Sequence, residues 1–143
     1  DIRLASPAAR FNAAFIRIGL SGGDCGSSYF LPRVVGSGRA AEILMTGRFV
    51  DADEAAAIGL VNRVVPAEQL LDEAVGVAEQ IAGNSPFGVM LTKRVLQQNV
   101  DAPSLTAALE VENRNQVLAT RTEDMAEALT AFREKRAPRY VGR

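Results

Sequence analysis

The chain has 143 residues, 48% of them hydrophobic and 23% charged, which suits one folded domain with a buried core rather than a disordered chain. Sixteen Lys plus Arg against seventeen Asp plus Glu leave a formal charge of −1, so no global basic field favours nucleic acid or an anionic membrane as a partner. A single cysteine, Cys25, and the absence of histidine exclude an intramolecular disulfide, a Cys-rich zinc site, and Ser-His-Asp, Cys-His or His-metal chemistry within this chain. Apolar runs such as residues 61–65 are broken by Asn62, Arg63 and Pro66, far short of the roughly 20 residues of a spanning helix. The expectation is a cytoplasmic protein. The chain starts at Asp1, without a methionine or signal-peptide pattern, directly on a strand-like stretch, and a segment upstream is expected.

Short strands are predicted at residues 2–5 and 9–11. A Gly-rich stretch follows at 19–38, with a helix starting near Gly26, and then a short strand at 48–50. Asp51 and Glu54 are spaced as a capping box ahead of an Ala-rich helix at 52–58 that Gly59 can end. After a strand at 61–65 and Pro66, a helix at 67–82 carries Leu70, Leu71, Ala74, Val77, Ala78 and Ile81 on one stripe. Ser85-Pro86 opens a helix to Asn99, Pro103 lies near the start of another to Thr120, and a last one at 123–136 repeats the apolar spacing. Strands this few leave unpaired edges, so the sheet they belong to is expected to be completed by another segment or chain. The alternative is a mostly helical protein with incidental β-ribbons. The four amphipathic helices in turn need a shared surface to cover, partly on other subunits.

Six glycines fall among residues 19–38, a density that lets backbone approach a ligand closely. A helix starting near Gly26 would offer free N–H groups to an anion or a carbonyl oxygen. The stretch can form a site wall or an ordinary tight loop. It is not a phosphate loop, because the Walker lysine and its Ser or Thr are missing and no G-x-G-x-x-G stands between strand and helix.

The order R-F, then G-L-S-G-G-D-C-G-S-S-Y-F-L-P-R-V-V-G, then G-R-A-A-E-I-L-M-T-G-R-F-V-D-A-D-E-A-A-A-I-G-L-V-N-R-V-V-P, and finally A-F-R-E-K-R-A-P-R-Y resembles the C-terminal half of the enoyl-CoA hydratase/isomerase (crotonase) family over essentially the whole chain. The block Leu44-Met45-Thr46-Gly47-Arg48 with the following Ala-rich helix and Gly59-Leu60-Val61-Asn62 is its most specific part. The resemblance implies an α/β fold, with residues 1–65 as the C-terminal part of a ββα spiral core and residues 66–143 as a helical oligomerisation region. It implies a homo-oligomer, a trimer or dimer of trimers, that acts on an acyl-CoA substrate with no cofactor besides the coenzyme A of that substrate. Members of the family hold the thioester carbonyl between two backbone N–H groups that stabilise an enolate-like charge. Both donors, and the first of the two glutamates of typical hydratases, would lie before Asp1. A non-catalytic acyl-CoA-binding or assembly subunit is the alternative.

The second hydratase glutamate closes a phrase F-G-Q-P-E, which here reads Phe11-Asn12-Ala13-Ala14-Phe15. Phe15 cannot transfer a proton, so the usual carboxylate pair around water is not available, and Phe15 is expected to line an apolar acyl pocket. Asp24 matches an acidic residue of the dienoyl-CoA isomerase branch if one residue is allowed as an insertion, which makes it the candidate for proton transfer. An aspartate just before a helix beginning near Gly26 is also a common N-cap, which is the bland reading of Asp24. Gly22 and Gly23 are the substrate-binding candidates of the Gly-rich wall, and Cys25 reads as a small packing residue. In the tail, Arg133, Lys135, Arg136, Arg139 and Arg143 face Glu134 alone in sequence, which suits a basic helix end complementing the dipole. The resemblance singles out Phe132 and Lys135 as neighbours of the CoA adenine and phosphates, with the other arginines solvated or at interfaces. No metal site is expected.

Overall fold

A computed structural model describes residues 1–143, which form two compact units, Asp1–Val75 and Gly76–Arg143. In the first unit, β1 (Leu4–Ala5) pairs in parallel with β4 (Arg63–Val64), and β2 (Arg10–Phe11) pairs antiparallel with β3 (Val50–Asp51). All four predicted strands exist, each shorter than its β-prone run. Every one of them has a single neighbour, so its regular ladder extends only as far as that neighbour reaches. Around β1 the pairing continues irregularly, with Asn62 N–H donating to the Arg3 carbonyl at 2.7 Å and Arg3 N–H to the Asn62 side chain at 2.7 Å. The third strand lies at Val50–Asp51 rather than 48–50, and Arg48 before it pairs with two carboxylates, Glu42 and Glu54.

Between the strands lie α1 (Ser27–Val35), α2 (Ser37–Thr46) and α3 (Ala52–Ala57). Helix α2 was hidden in the sequence by the Gly36-Ser37-Gly38 cluster, which has the composition of a loop. Ala40 and Ile43 bury its inner face. At α3 the Asp51 side chain accepts from Glu54 N–H at 2.9 Å, half of the expected capping box; the Glu54 carboxylate pairs instead with Arg48. The core is made of Ala5, Ile43, Val50, Ala55 and Val61, with Phe11, Leu31 and Leu60 packed against it. Small side chains at Ala52 and Ala55 let α3 lie close to the strands.

From Pro66 onward every regular element is helical: a 3-10 turn at Ala67–Gln69, then α4 (Leu70–Ala82), α5 (Pro86–Asn99), α6 (Leu105–Ala119) and α7 (Glu123–Glu134). Helix α4 runs across the boundary between the units. Ser85, Ser104 and Thr122 cap α5, α6 and α7, accepting from Gly88, Ala107 and Met125 N–H. None of α4, α5 and α6 buries a residue completely, and Leu96 and Leu105 remain 67% and 74% exposed. The chain then turns back after α7, and its last residues return to the start of that helix. No helix is long and apolar enough to cross a membrane.

Candidate functional site

The two loops that carry the candidate chemistry are both supported by the C-terminal end of α2. The 3-10 segment Ala14–Ile18, with half-buried Phe15, packs Ile16 and Arg17 against Gly47, where an added Cβ would stand 2.7 Å from either side chain. Gly47 itself has φ +61°, a left-handed conformation that ends the helix and that a side chain would strain. Asn12 ties the same segment down, its Nδ2 donating to the carbonyl of Gly47 and, at 2.8 Å, to that of Arg48. Gly22 of the second loop lies against the Leu44 carbonyl so closely that a Cβ would overlap its oxygen. Arg48 then braces the end of α2 from the other side. Its guanidinium bonds Glu42 of α2 at 2.7 Å and both oxygens of Glu54 of α3 at 2.6 and 2.8 Å. These bonds raise the already high Arg48 pKa and lower that of Glu54, whose main cause is the side-chain bond from Arg48. The block Leu44 to Arg48 is therefore scaffold, and the chemistry-bearing loops are laid on it.

Asp24 does not cap α1. The N-cap is Gly26, at φ 78° with no side-chain bond, and the Asp24 carboxylate accepts from the adjacent Cys25 N–H at 2.7 Å through one oxygen. Its side chain is exposed and its second oxygen has no partner. The work of holding the loop falls instead to Ser27, whose hydroxyl lies 2.9 Å from the Gly22 carbonyl and 2.6 Å from that of Asp24. Gly22 is buried beneath this loop, which gives it a packing role whatever the loop binds, and Gly23 is exposed beside Ser28. Next to Asp24, residues Cys25, Gly26 and Ser27 form one wall of an apolar cleft of about 570 Å³ floored by Phe11, Leu31, Val34, Ile43 and Val50. Phe15, Gly22, Gly23 and Asp24 do not line this cleft. No three of the Cys, Asp and Glu side chains come together in a group that could hold a metal ion.

In the second unit, Phe132 is 83% exposed near the end of α7, and Lys135, just beyond it, adopts φ 55°. The tail arginines are all exposed, as expected of solvated groups, and two of them also make ion pairs. Arg136 forks onto Glu127 at 2.6 and 2.9 Å and bonds Glu134 at 2.6 Å, and Arg143 pairs with Glu123 at 3.3 Å. Asp124, only 1% exposed, accepts from Val141 N–H at 2.7 Å, Gly142 N–H at 3.1 Å and the Ser85 hydroxyl at 2.7 Å. Burial pushes its carboxyl upward, but the Ser85, Val141 and Gly142 donors outweigh burial and hold it below the ordinary value. Sequence inspection missed Asn12, Asp124 and Glu127, because each acts on a partner remote along the chain.

The Arg136 side chain, followed by the Arg139 N–H, holds Glu127 at about 2 against an ordinary 4.5. A carboxylate depressed in this way favours the folded tail above its unfolded value, and that contribution is lost as pH falls from about 4.5 through about 2. The Glu127 carboxyl carbon, followed by NMR, should titrate near the lower value. A midpoint near the ordinary value would show that the Arg136 fork is not made in solution.

A spiral of β-β-α pieces followed by consecutive helices defines the C-terminal part of the crotonase fold. The crystal structure of an enoyl-CoA hydratase from Bacillus anthracis superposes with a TM-score of 0.95 at 36% identity, over 100% of this chain and 55% of that one. The model of the family described as enoyl-CoA hydratase/isomerase matches residues 1–143, and the chain belongs to that family. A probable enoyl-CoA hydratase of Mycobacterium tuberculosis is 49% identical over 142 residues, 99% of this chain and 50% of that protein. The 1,2-epoxyphenylacetyl-CoA isomerase of Escherichia coli is 35% identical over 143 residues, 100% of this chain and 54% of that protein. The chain thus spans about half the length of the curated relatives it matches.

Proposed function

We propose that the protein moves a double bond within an enoyl-CoA thioester by proton transfer, with Asp24 as the acid-base group. The observation that carries this reading is the state of the Asp24 carboxylate: exposed, not used as a helix cap, and held at one oxygen by the Cys25 N–H while the other is unpartnered. Such a group can take a proton from Cα of a 3-enoyl thioester, leaving a dienolate whose charge rests on the thioester oxygen. The resulting carboxylic acid returns the proton at Cγ, so the double bond shifts and no atom is gained or lost. Hydration needs a second group to activate water, and Phe15 occupies the place where the family's hydratases carry one of their glutamates. Similarity to both a probable hydratase and a CoA-thioester isomerase supports the substrate class.

The test is turnover of a 3-enoyl-CoA to its conjugated isomer, followed by absorbance, beside hydration of crotonyl-CoA. The wild type should isomerise and hydrate poorly. Phe15→Glu should raise hydration by about tenfold or more, the scale of one positioned acid-base group. Rapid hydration by the wild type with no isomerisation would sink the proposal.

A further inference from the structure

The αL turn at Lys135 is held by residues distant from it, and what holds it also decides which cations of the tail are free. A residue with a side chain adopts φ 55° only where its surroundings enforce it. Here Arg136 N–H donates to the carbonyl of buried Ala131 at 3.0 Å, and the Arg136 guanidinium is clamped by both oxygens of Glu127. Glu127 also accepts from Arg139 N–H at 2.7 Å, so one carboxylate grips the chain on the far side of the turn at two places. The same arrangement removes a competitor. Glu134, the neighbour of Lys135, is taken by Arg136 at 2.6 Å, and the Lys135 ammonium has no ion-pair partner. Phe132, exposed one helical turn earlier, stands at the same end of α7.

We infer that Glu127 is a positioning residue: by clamping Arg136 it fixes the turn that presents Lys135 to a polyanionic nucleotide group such as that of coenzyme A. This rests on the reading of the protein as an acyl-CoA enzyme with Lys135 near the CoA phosphates. Simple electrostatics predicts the opposite effect of removing Glu127, because loss of a negative charge beside three cations should tighten binding of an anion. A loss of affinity therefore reports geometry and not charge.

The experiment is a double-mutant cycle on the protein with coenzyme A as the probe, read by titration calorimetry, with circular dichroism of each variant as the check on folding. Lys135→Ala should weaken binding about five- to tenfold, the scale of one charge-assisted phosphate contact, and Glu127→Ala should weaken it comparably. In the Lys135→Ala background, Glu127→Ala should then have no further effect. If Lys135→Ala leaves affinity unchanged, the reading of Lys135 as a CoA contact fails and the inference fails with it. If Lys135→Ala weakens binding while Glu127→Ala leaves it unchanged or tightens it, only the positioning inference is overturned. Additive losses in the double variant overturn it as well, because Glu127 would then act elsewhere. Glu127→Gln, which keeps an acceptor of the same shape without the charge, runs the same cycle should Glu127→Ala not fold.

Discussion

Asp24→Asn should lower turnover of a 3-enoyl-CoA by about 10²- to 10⁴-fold, the span attributed to a positioned general acid-base group. The substitution is conservative in every other respect. Asn retains the side-chain oxygen that accepts the Cys25 N–H, and the cap of α1 is Gly26, so neither the loop nor the helix loses a bond. Affinity for the thioester and thermal stability are accordingly expected to stay at wild-type values while kcat falls. Unchanged kcat would remove Asp24 from the mechanism. A large drop in melting temperature would mean instead that the negative charge of the carboxylate stabilises the loop.

Gly22→Ala has the second large effect, and it falls on the fold. The added methyl would overlap the carbonyl oxygen of Leu44 and come within 3.1 Å of its carbon, and both atoms belong to backbone inside α2, which cannot swing aside as a flexible side chain would. Overpacking of this kind costs about 1–3 kcal/mol, and a clash with helical backbone belongs at the upper end. The expected result is a denaturant midpoint well below wild type, with the loop bearing Asp24 displaced from α2. Gly23→Ala is the contrast. Its nearest obstacle is the exposed Ser28 Cβ at 3.2 Å in the first turn of α1, from which the exposed loop at Gly23 can move away by a few tenths of an ångström. Equal midpoints for Gly22→Ala and wild type would show that the loop does not lie on Leu44 in solution.

Helices α3 to α7 were legible because their information is local. Asp51, Ser85, Ser104 and Thr122 are capping residues within three positions of the N–H groups they bind, and the apolar stripes repeat at the helical period. The strands were legible as β-prone runs, but their length depends on the neighbour each one finds. Leu4–Ala5 pairs with residues about sixty positions away, and nothing local to either run states where that contact stops. Helix α2 went unseen for the opposite reason, since its local composition of Gly and Ser disguises a segment that Ala40 and Ile43 anchor in the core.

By itself the sequence determined the family, through the spacing of Leu44 to Arg48 against the helix and the Gly59 to Asn62 turn that follow, and with it the C-terminal half of a crotonase fold. From the same resemblance comes the expectation that Phe15 stands where a hydratase carries a carboxylate, which Phe15→Glu puts to the test. Tertiary structure alone decided what the remaining side chains do. Asp24 suits a helix cap by sequence, and only the structure puts Gly26 in that place; likewise the clamp of Glu127 on Arg136 and the hold of Asp124 on the Val141 N–H exist only once the chain turns back on itself. The reason is common to both. A charged group's role is set by the partners within hydrogen-bonding distance, and wherever those partners come from a distant part of the chain or from a choice between neighbouring backbone conformations, only the folded coordinates bring them together.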